Sequence, residues 1–244
     1  MISHQRETLD LSDRQLTSLP ATTWRNTPLR ALNLFRNQLT SLPASIAQLK
    51  ELRVLIVANN QLSALPEEIG VLRRLRMLDA GHNLIADLPP SFARLTTLTD
   101  YLYLHDNRLQ VLSDSVFENF THLRYLNLSD NPLRGLPGSM GALVELEELR
   151  LENVNLETLP GFVANLTALD ELALRNNRLA ALPDSFAKLR KLRHLDLRGN
   201  RFTQIPEVLR TLGKLHKLDL RWNDLNRLPA WLKELRARGC RVLL

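Results

Sequence analysis

A repeat with a nearly constant period constrains this chain more than any other feature. The pattern LxxLxLxxN, followed by xLxxL, recurs ten times along 244 residues, and its asparagine position advances by 23 or 24 residues per copy. These positions are Arg14, Asn37, Asn60, Asn83, Asn107, Asn131, Val154, Asn177, Asn200 and Asn223. A period of this length indicates similar coils stacked in a row, because each coil contacts only its neighbours.

Each copy predicts the same local structure. The two leucines of LxL point to one side of a short strand, since side chains alternate along strands. One coil cannot bury them alone, so stacked coils form a parallel sheet over a continuous core. An inward asparagine can pair with backbone groups of the adjacent turn. Most copies then have a proline, which ends the extended segment, and xxIxxL, which predicts a short helix or 3-10 turn on the opposite side.

The consensus LxxLxLxxNxLxxLPxxIxxLxx resembles that of the leucine-rich repeat family over essentially the whole chain. The 23-residue Leu-Pro copies resemble the subclass of Ras-suppressor and Ras-scaffold proteins, plant intracellular Ras-group-related repeat proteins and bacterial effectors. This resemblance implies an α/β fold. The expected architecture is a right-handed solenoid of horseshoe shape with about ten coils, a parallel sheet on its concave face and short helices or 3-10 turns on its convex face.

The ends of the repeat predict one solenoid domain over residues 1–244, with its first coil starting near residue 7. Residues 229–244 predict a cap. Trp231, Leu232 and Leu235 lie on the apolar side of a last helix, Gly239 stops it, and Cys240–Leu244 form a closing strand.

Two copies depart from the pattern in ways that leave alternatives open. Val154 stands at an asparagine position between Asn153 and Asn155, so either one of these takes over the asparagine's role or the turn is irregular. The copy before Asn107 has an extra residue. This residue forms either a bulge at Asp100–Tyr101 or a longer turn after Leu95.

Composition argues against several classes of protein. The net charge is +6, but Lys and Arg are spread through the repeats with no run of five like charges, so we do not expect a nucleic-acid binder. The only cysteine, Cys240, allows no intrachain disulfide, which favours a reducing compartment. We find neither a signal peptide nor an 18-residue apolar run. We therefore expect a cytoplasmic monomer without a membrane segment, the alternative being a secreted bacterial effector acting in the host cytosol.

The sequence contains no pattern typical of a catalytic, phosphate-binding or zinc site. We predict no enzymatic activity, no cofactor and no metal. The nearest metal-like group places His82, Asp106 and Asp130 on consecutive coils, with His105 beside them. We interpret the first three as turn residues, because Asp and Asn favour turn backbone.

The strand register predicts which side chains project from the concave face: those two, four and six residues before each asparagine position. All three tyrosines of the chain fall there, with apolar residues beside them, and such an exposed patch is typical of a binding site. The alternative is that these are strand-forming residues in a tolerant place. The predicted partner-binding residues are Phe35, Val54, Ile56, Met77, Tyr101, Tyr103, His105, Tyr125, Glu148, Arg150, Arg175, Arg198 and Arg221.

We predict a non-enzymatic scaffold that recognises a partner protein or peptide on this face. The resemblance makes a small GTPase or a signalling regulator a candidate partner. A second hypothesis is the substrate-recognition part of a larger enzyme, such as a ubiquitin-ligase effector or a kinase. A nucleic-acid binder is a minor third.

Overall fold

A computed structural model of the protein describes residues 7–25 and 28–244, so the predicted start of the domain at residue 1 lies outside the described residues. Eleven strands form one parallel sheet in chain order. They are β1 Thr8–Asp10, β2 Ala31–Asn33, β3 Val54–Ile56, β4 Met77–Asp79, β5 Tyr101–Tyr103, β6 Tyr125–Asn127, β7 Glu148–Arg150, β8 Glu171–Ala173, β9 His194–Asp196, β10 Lys217–Asp219 and β11 Arg241–Leu243. This confirms the predicted solenoid, and β11 pairs in parallel with β10.

Short 3-10 helices occupy the opposite side of the coils, as predicted. In the described residues they are Ala21–Arg25, Ala44–Gln48, Glu67–Val71, Pro90–Arg94, Gly138–Ala142, Gly161–Asn165, Asp184–Lys188 and Glu207–Thr211. A proline precedes each of them. The copy without that proline has turns at 114–119 instead, where Phe117 and Phe120 are fully buried. Helix α1 spans Leu232–Ala237 and is followed by Gly239 with φ 87°.

The core is a column of consensus leucines between the sheet and the 3-10 helices. The middle residue of each strand from β2 to β10 is a leucine that is at most 1% exposed. Leu55, for example, pairs in register with Leu32 on one side and Leu78 on the other. Stacking therefore buries what a single coil would leave in water.

The inward asparagines join each coil to the one before it. Asn83 is buried, and its Oδ1 accepts a hydrogen bond from the backbone N–H of Leu62 at 3.0 Å. Its Nδ2 donates to the carbonyls of Val57 at 3.1 Å and Ala80 at 3.2 Å. The same pattern recurs at Asn37, Asn60, Asn107, Asn131, Asn177, Asn200 and Asn223. Buried backbone groups are thus satisfied by side chains.

Val154 interrupts this series, and neither neighbouring asparagine replaces it. The Val154 side chain is fully buried. The N–H of Leu133, which would donate to an asparagine here, bonds instead to the carbonyl of Asn131 at 2.8 Å. Asn153 turns outward and donates to Oδ1 of Asp130 at 2.7 Å. The second alternative, an irregular turn, is therefore correct.

The extra residue before Asn107 is a bulge at the start of β5. The N–H groups of Thr99 and Asp100 both donate to the carbonyl of Arg76, yet the residue that pairs with Met77 is Tyr101. Asp100 and Tyr101 thus stand where other coils have one residue. The turn after Leu95 is unchanged, because Leu98 still donates to it at 3.0 Å. This is the first of the two predicted alternatives.

Candidate functional site

The candidate site is the concave face of the sheet, where the first and third residues of each strand project away from the core. Tyr101 and Tyr103 project from β5, and Tyr125 projects from the first position of β6. In-register pairing brings Tyr101 beside Tyr125 on the neighbouring strand. The sequence prediction that all three tyrosines share this face is confirmed.

The three tyrosine rings form one cluster. Tyr101 and Tyr103 are stacked with centroids 5.8 Å apart, and Tyr125 lies 5.5 Å from the first and 4.9 Å from the second. The Tyr101 side chain is the most open, with the residue 44% exposed. Burial raises the pKa of Tyr103 and of Tyr125, so both phenols stay protonated at neutral pH. Within the described residues none of the three hydroxyls makes a hydrogen bond, which leaves them available as donors.

Apolar side chains continue the cluster toward the N-terminal coils. Met77 pairs in register with Tyr101, and Val54 pairs with Met77. Together with Tyr101 and Tyr125 they form an unbroken row across β3 to β6, which we call the apolar row. Ile56 lies beside Val54 on the same strand. Phe35 follows β2, three strands from Tyr101 or roughly 14 Å away, so it stands apart from the cluster.

His105 extends the aromatic cluster toward the carboxyl ends of the strands. Its ring lies 6.0 Å from that of Tyr103 and 4.6 Å from that of His82. The imidazole covers Gly81, where a β-carbon would come within 2.3 Å of the His105 ring. Burial, and then the neighbouring His82, lower the pKa of His105. Gly81 therefore provides the slot in which this ring lies.

The charged half of the face is internally paired. Arg150 contacts Glu148 at 2.6 Å and Glu171 at 3.7 Å, which separates two like charges on adjacent strands. Asp219 is almost fully buried and lies 2.7 Å from Arg221 and 3.6 Å from Arg198.

Arg175 lies 3.3 Å from a carboxylate oxygen of Glu152. Each predicted arginine therefore has a carboxylate neighbour, although the Nε of Arg175 makes no hydrogen bond in the described part of the chain. Ion pairs between partly exposed groups are individually weak, so these pairs balance charge on the surface more than they fix the side chains.

Trp222 is a surface residue that the sequence prediction missed. It is 68% exposed, and Arg198 and Arg221 lie over its ring at 5.8 and 5.6 Å. Its φ is 61°, a left-handed conformation that is costly for a large side chain. The same position in every other coil also has positive φ but holds smaller or polar residues: Asp13, Arg36, Asn59, His82, Asp106, Asp130, Asn153, Asn176 and Gly199. A comparison of this position, one residue before each asparagine position, across all the repeats would have shown that Trp222 is the exception.

The charge of the chain is unevenly distributed, which a search for runs of like charge does not detect. Residues 188–244 contain 15 Lys and Arg but 5 Asp and Glu, a net charge of +10. Residues 1–187 therefore carry −4 of the total of +6. The last coils form a basic end, and the tyrosine cluster lies in the acidic part.

A groove of about 800 Å³ follows the edge where the strands begin. It starts at Tyr101 and Tyr125, passes the carboxylates of Glu148 and Asp170, and ends near Lys214. The groove connects the tyrosine cluster to the basic end and is within the size range of ligand sites.

Two further observations concern chemistry and membranes. Among residues 7–25 and 28–244, no three His, Cys, Asp or Glu side chains are grouped so that they could hold a metal ion. In the same described ranges, no helix has the length and apolar character needed to cross a bilayer.

Comparison with known proteins agrees with this architecture. The family profile described as "Leucine rich repeat" matches residues 7–62, 27–85, 97–156, 146–202 and 167–225. The chain belongs to the leucine-rich repeat family. Proteins with this fold generally recognise other proteins or peptides. A search of curated proteins finds no match to this leucine-rich repeat chain.

Several solved leucine-rich repeat structures are similar. A leucine-rich repeat protein of Leptospira interrogans is 30% identical with a TM-score of 0.88, covering 96% of this chain and 65% of its own. The ectodomain of the Arabidopsis thaliana receptor kinase GASSHO1/SCHENGEN3, in complex with CASPARIAN STRIP INTEGRITY FACTOR 2, is 30% identical with a TM-score of 0.80. That match covers 93% of this chain and 28% of the receptor.

The leucine-rich repeat domain of the type III effector XopL is 26% identical with a TM-score of 0.68, covering 98% of this chain and 76% of its own. This chain spans less than two thirds of the length of the first two structures.

Proposed function

We propose that this protein is a non-enzymatic scaffold that binds a partner protein or peptide on its concave face, with the tyrosine cluster at the centre of the contact. The observation that carries the proposal is the cluster itself. Three tyrosines lie within 5.8 Å of one another on a face where water-exposed side chains are expected. Tyrosine is enriched among the residues that dominate binding energy.

The surroundings of the cluster support a specific contact. Met77, Val54 and Ile56 offer apolar area next to the rings, and the unpaired tyrosine hydroxyls add donors at defined places. Such a combination of apolar surface with a few polar groups is typical of the centre of an interface. Because the strands are held by the sheet on both sides, binding requires little ordering of the scaffold.

The remaining predicted residues have supporting roles in this proposal. Phe35 is a separate apolar contact near the N-terminal coils, and His105 closes the cluster on its other side. Glu148 and Arg150 form a polar rim. Arg175, Arg198 and Arg221 are already paired with carboxylates, so they orient a partner and add little affinity of their own. Trp222 supplies a second contact at the basic end.

A binding experiment tests the central role of the tyrosines. Ligands are selected from a displayed peptide library against the purified chain, and their dissociation constants are measured for wild type and for the Tyr101→Ala/Tyr103→Ala variant. We expect the double variant to bind on the order of tenfold more weakly or worse. Val144→Ala is the matched control, because Val144 is 47% exposed and follows a 3-10 helix on the other side of the coil.

Control binding within twofold of wild type is expected. Ligands that bind the double variant as tightly as wild type reject the tyrosine cluster as the site.

The partner class and setting follow from the subclass that the repeat resembles. The 23-residue Leu-Pro copies favour an intracellular signalling role, with a small GTPase or its regulator as the partner. One buried cysteine suits a reducing cytoplasm. The second candidate, the recognition part of a longer effector or enzyme, is supported by the larger size of the similar Leptospira and receptor proteins.

A further inference from the structure

His82 and His105 face each other across two adjacent coils. Their Nε2 atoms lie 3.2 Å apart, and their rings are nearly perpendicular, at 81°. Two nitrogen ligands of a tetrahedral zinc ion are separated by a similar distance. With Zn–N bonds of 2.0–2.1 Å, a separation of 3.2 Å gives an N–Zn–N angle of about 99–106°, near the tetrahedral value.

The hydrogen bonds around His82 prepare its Nε2 as a ligand. The Nδ1–H of His82 donates to Oδ2 of Asp106 at 2.6 Å. An ionised carboxylate only accepts hydrogen bonds, so the proton of the neutral ring is on Nδ1 and the lone pair is on Nε2. A carboxylate paired with the far nitrogen is a common partner of metal-bound histidines, because it fixes the tautomer and raises the basicity of the ligand.

His105 is held in place without a comparable partner. Its ring lies in the slot above Gly81, and its Nδ1 is buried with no hydrogen-bond partner in the described part of the chain. Only one proton can be shared between the two Nε2 atoms, and it must belong to His105 when His82 is neutral. When an ion takes the place of that proton, the proton moves to the unpartnered Nδ1.

We propose that His82 and His105 form a two-imidazole site for a first-row divalent ion of the zinc and copper type. Imidazole nitrogen is a preferred ligand of these ions. The His82 side chain is 46% exposed, so solvent reaches the pair. Two protein ligands leave the other coordination positions to water or to a donor from a bound partner. The site adjoins the tyrosine cluster through Tyr103, and it does not depend on the proposed partner binding.

Calorimetric titration of the tag-free protein with ZnCl₂ at pH 7.5 tests the site. We expect one ion per chain for wild type and a loss of at least tenfold in affinity for His82→Gln and for His105→Gln. Asp106→Asn should weaken binding by about 10–100-fold, the usual effect of removing such an outer partner. Circular dichroism verifies that each variant is folded.

His122→Gln is the matched control. His122 also pairs through Nδ1 with a carboxylate, that of Glu145 at 3.0 Å, but no second imidazole faces it among the described residues. Its substitution should leave zinc affinity unchanged. The proposal is overturned if the wild type does not bind zinc, or if folded His82→Gln and His105→Gln variants bind it as tightly as wild type. Because no peptide is present, failure here is separate from failure of the tyrosine site.

Discussion

The rings of Tyr103 and Tyr125 lie 4.9 Å apart across the boundary between β5 and β6. The bulge at Asp100–Tyr101 makes this contact possible, because it restores the register of β5 after an added residue. A tyrosine cluster on this face thus depends on one local irregularity of the repeat. The protonation of its phenols can be measured directly.

Tyr125 should lose its phenol proton at a higher pH than an ordinary tyrosine. Burial, and then Glu148, raise the pKa of Tyr125 above the ordinary value of 10.0. Since the folded-state pKa is the higher one, its contribution to stability is fully present below pH 10 and is lost as the pH rises toward the folded-state pKa. The unfolding free energy of wild type should therefore fall above pH 10, as followed by urea denaturation, and less steeply for Tyr125→Phe. Equal slopes would contradict this.

Acid stability should depend on His105. Burial lowers its pKa below 6.5, and the charged or titratable groups around it are His82, Asp79, Asp106 and Asp130. A lowered folded-state pKa means that the contribution to stability is present above pH 6.5 and is lost as the pH falls through the folded-state value.

Denaturation at pH 7.5 and pH 5.0 measures this loss. The loss of unfolding free energy between the two pH values should be smaller in His105→Gln than in wild type, and unchanged in His122→Gln. A loss that is equal in all three proteins would assign the effect to other groups.

Removing one inward asparagine should be costly. Asn83→Ala leaves the N–H of Leu62 and the carbonyls of Val57 and Ala80 without this partner. The carbonyl of Val57 still accepts from Asn60 and that of Ala80 from Asn107, so only the N–H of Leu62 is left unsatisfied. An unsatisfied buried group costs about 1–3 kcal/mol, so we expect a loss of about 1–3 kcal/mol in unfolding free energy. The exposed Asn165 provides the control, because Asn165→Ala should change stability by less than about 0.5 kcal/mol. A cost below about 1 kcal/mol for Asn83→Ala would mean that water replaces the side chain.

Trp222 should matter for binding and little for stability. Trp222→Asn removes two exposed cation–π contacts, each worth about 0.5–1 kcal/mol. It also relieves a left-handed conformation that Asn tolerates better, and this gain offsets the loss. We therefore expect an unfolding free energy within about 1 kcal/mol of wild type, with weaker binding of any ligand that reaches the basic end. A strongly destabilised variant would indicate a structural role instead.

The solenoid could be predicted from the sequence because each coil is defined by a short pattern of residues that repeats along the chain. Each leucine of the LxL pattern has the same surroundings in every coil. Ten copies of the pattern therefore predict the same strand ten times. The position of Tyr101, Tyr103 and Tyr125 on the concave face followed from counting back from Asn107 and Asn131.

Features that depend on contacts between coils could not be predicted in this way. The ion pairs of Arg150 and Arg198 depend on which side-chain conformations reach across strands. The bulge at Asp100–Tyr101 depends on backbone hydrogen bonds that one added residue does not specify. The approach of His82 to His105 required two side chains from different columns to turn toward each other. Trp222 was detectable, but only by comparing one column of the repeat across all coils.

The irregular turn at Val154 has a consequence for how the rod comes apart. At the other described junctions from Asn37 to Asn200, a buried amide joins a coil to its predecessor, and the half-buried amide of Asn223 does the same. Between the coils of Asn131 and Val154 this amide is missing. The side-chain hydrogen bonds there include those from Asn153 to Asp130, from Arg124 to Glu147 and from the N–H of Glu152 to the buried hydroxyl of Ser129. This junction is therefore a weak point of the solenoid. We expect hydrogen exchange to begin here, and the six coils before it can unfold while the later coils remain folded.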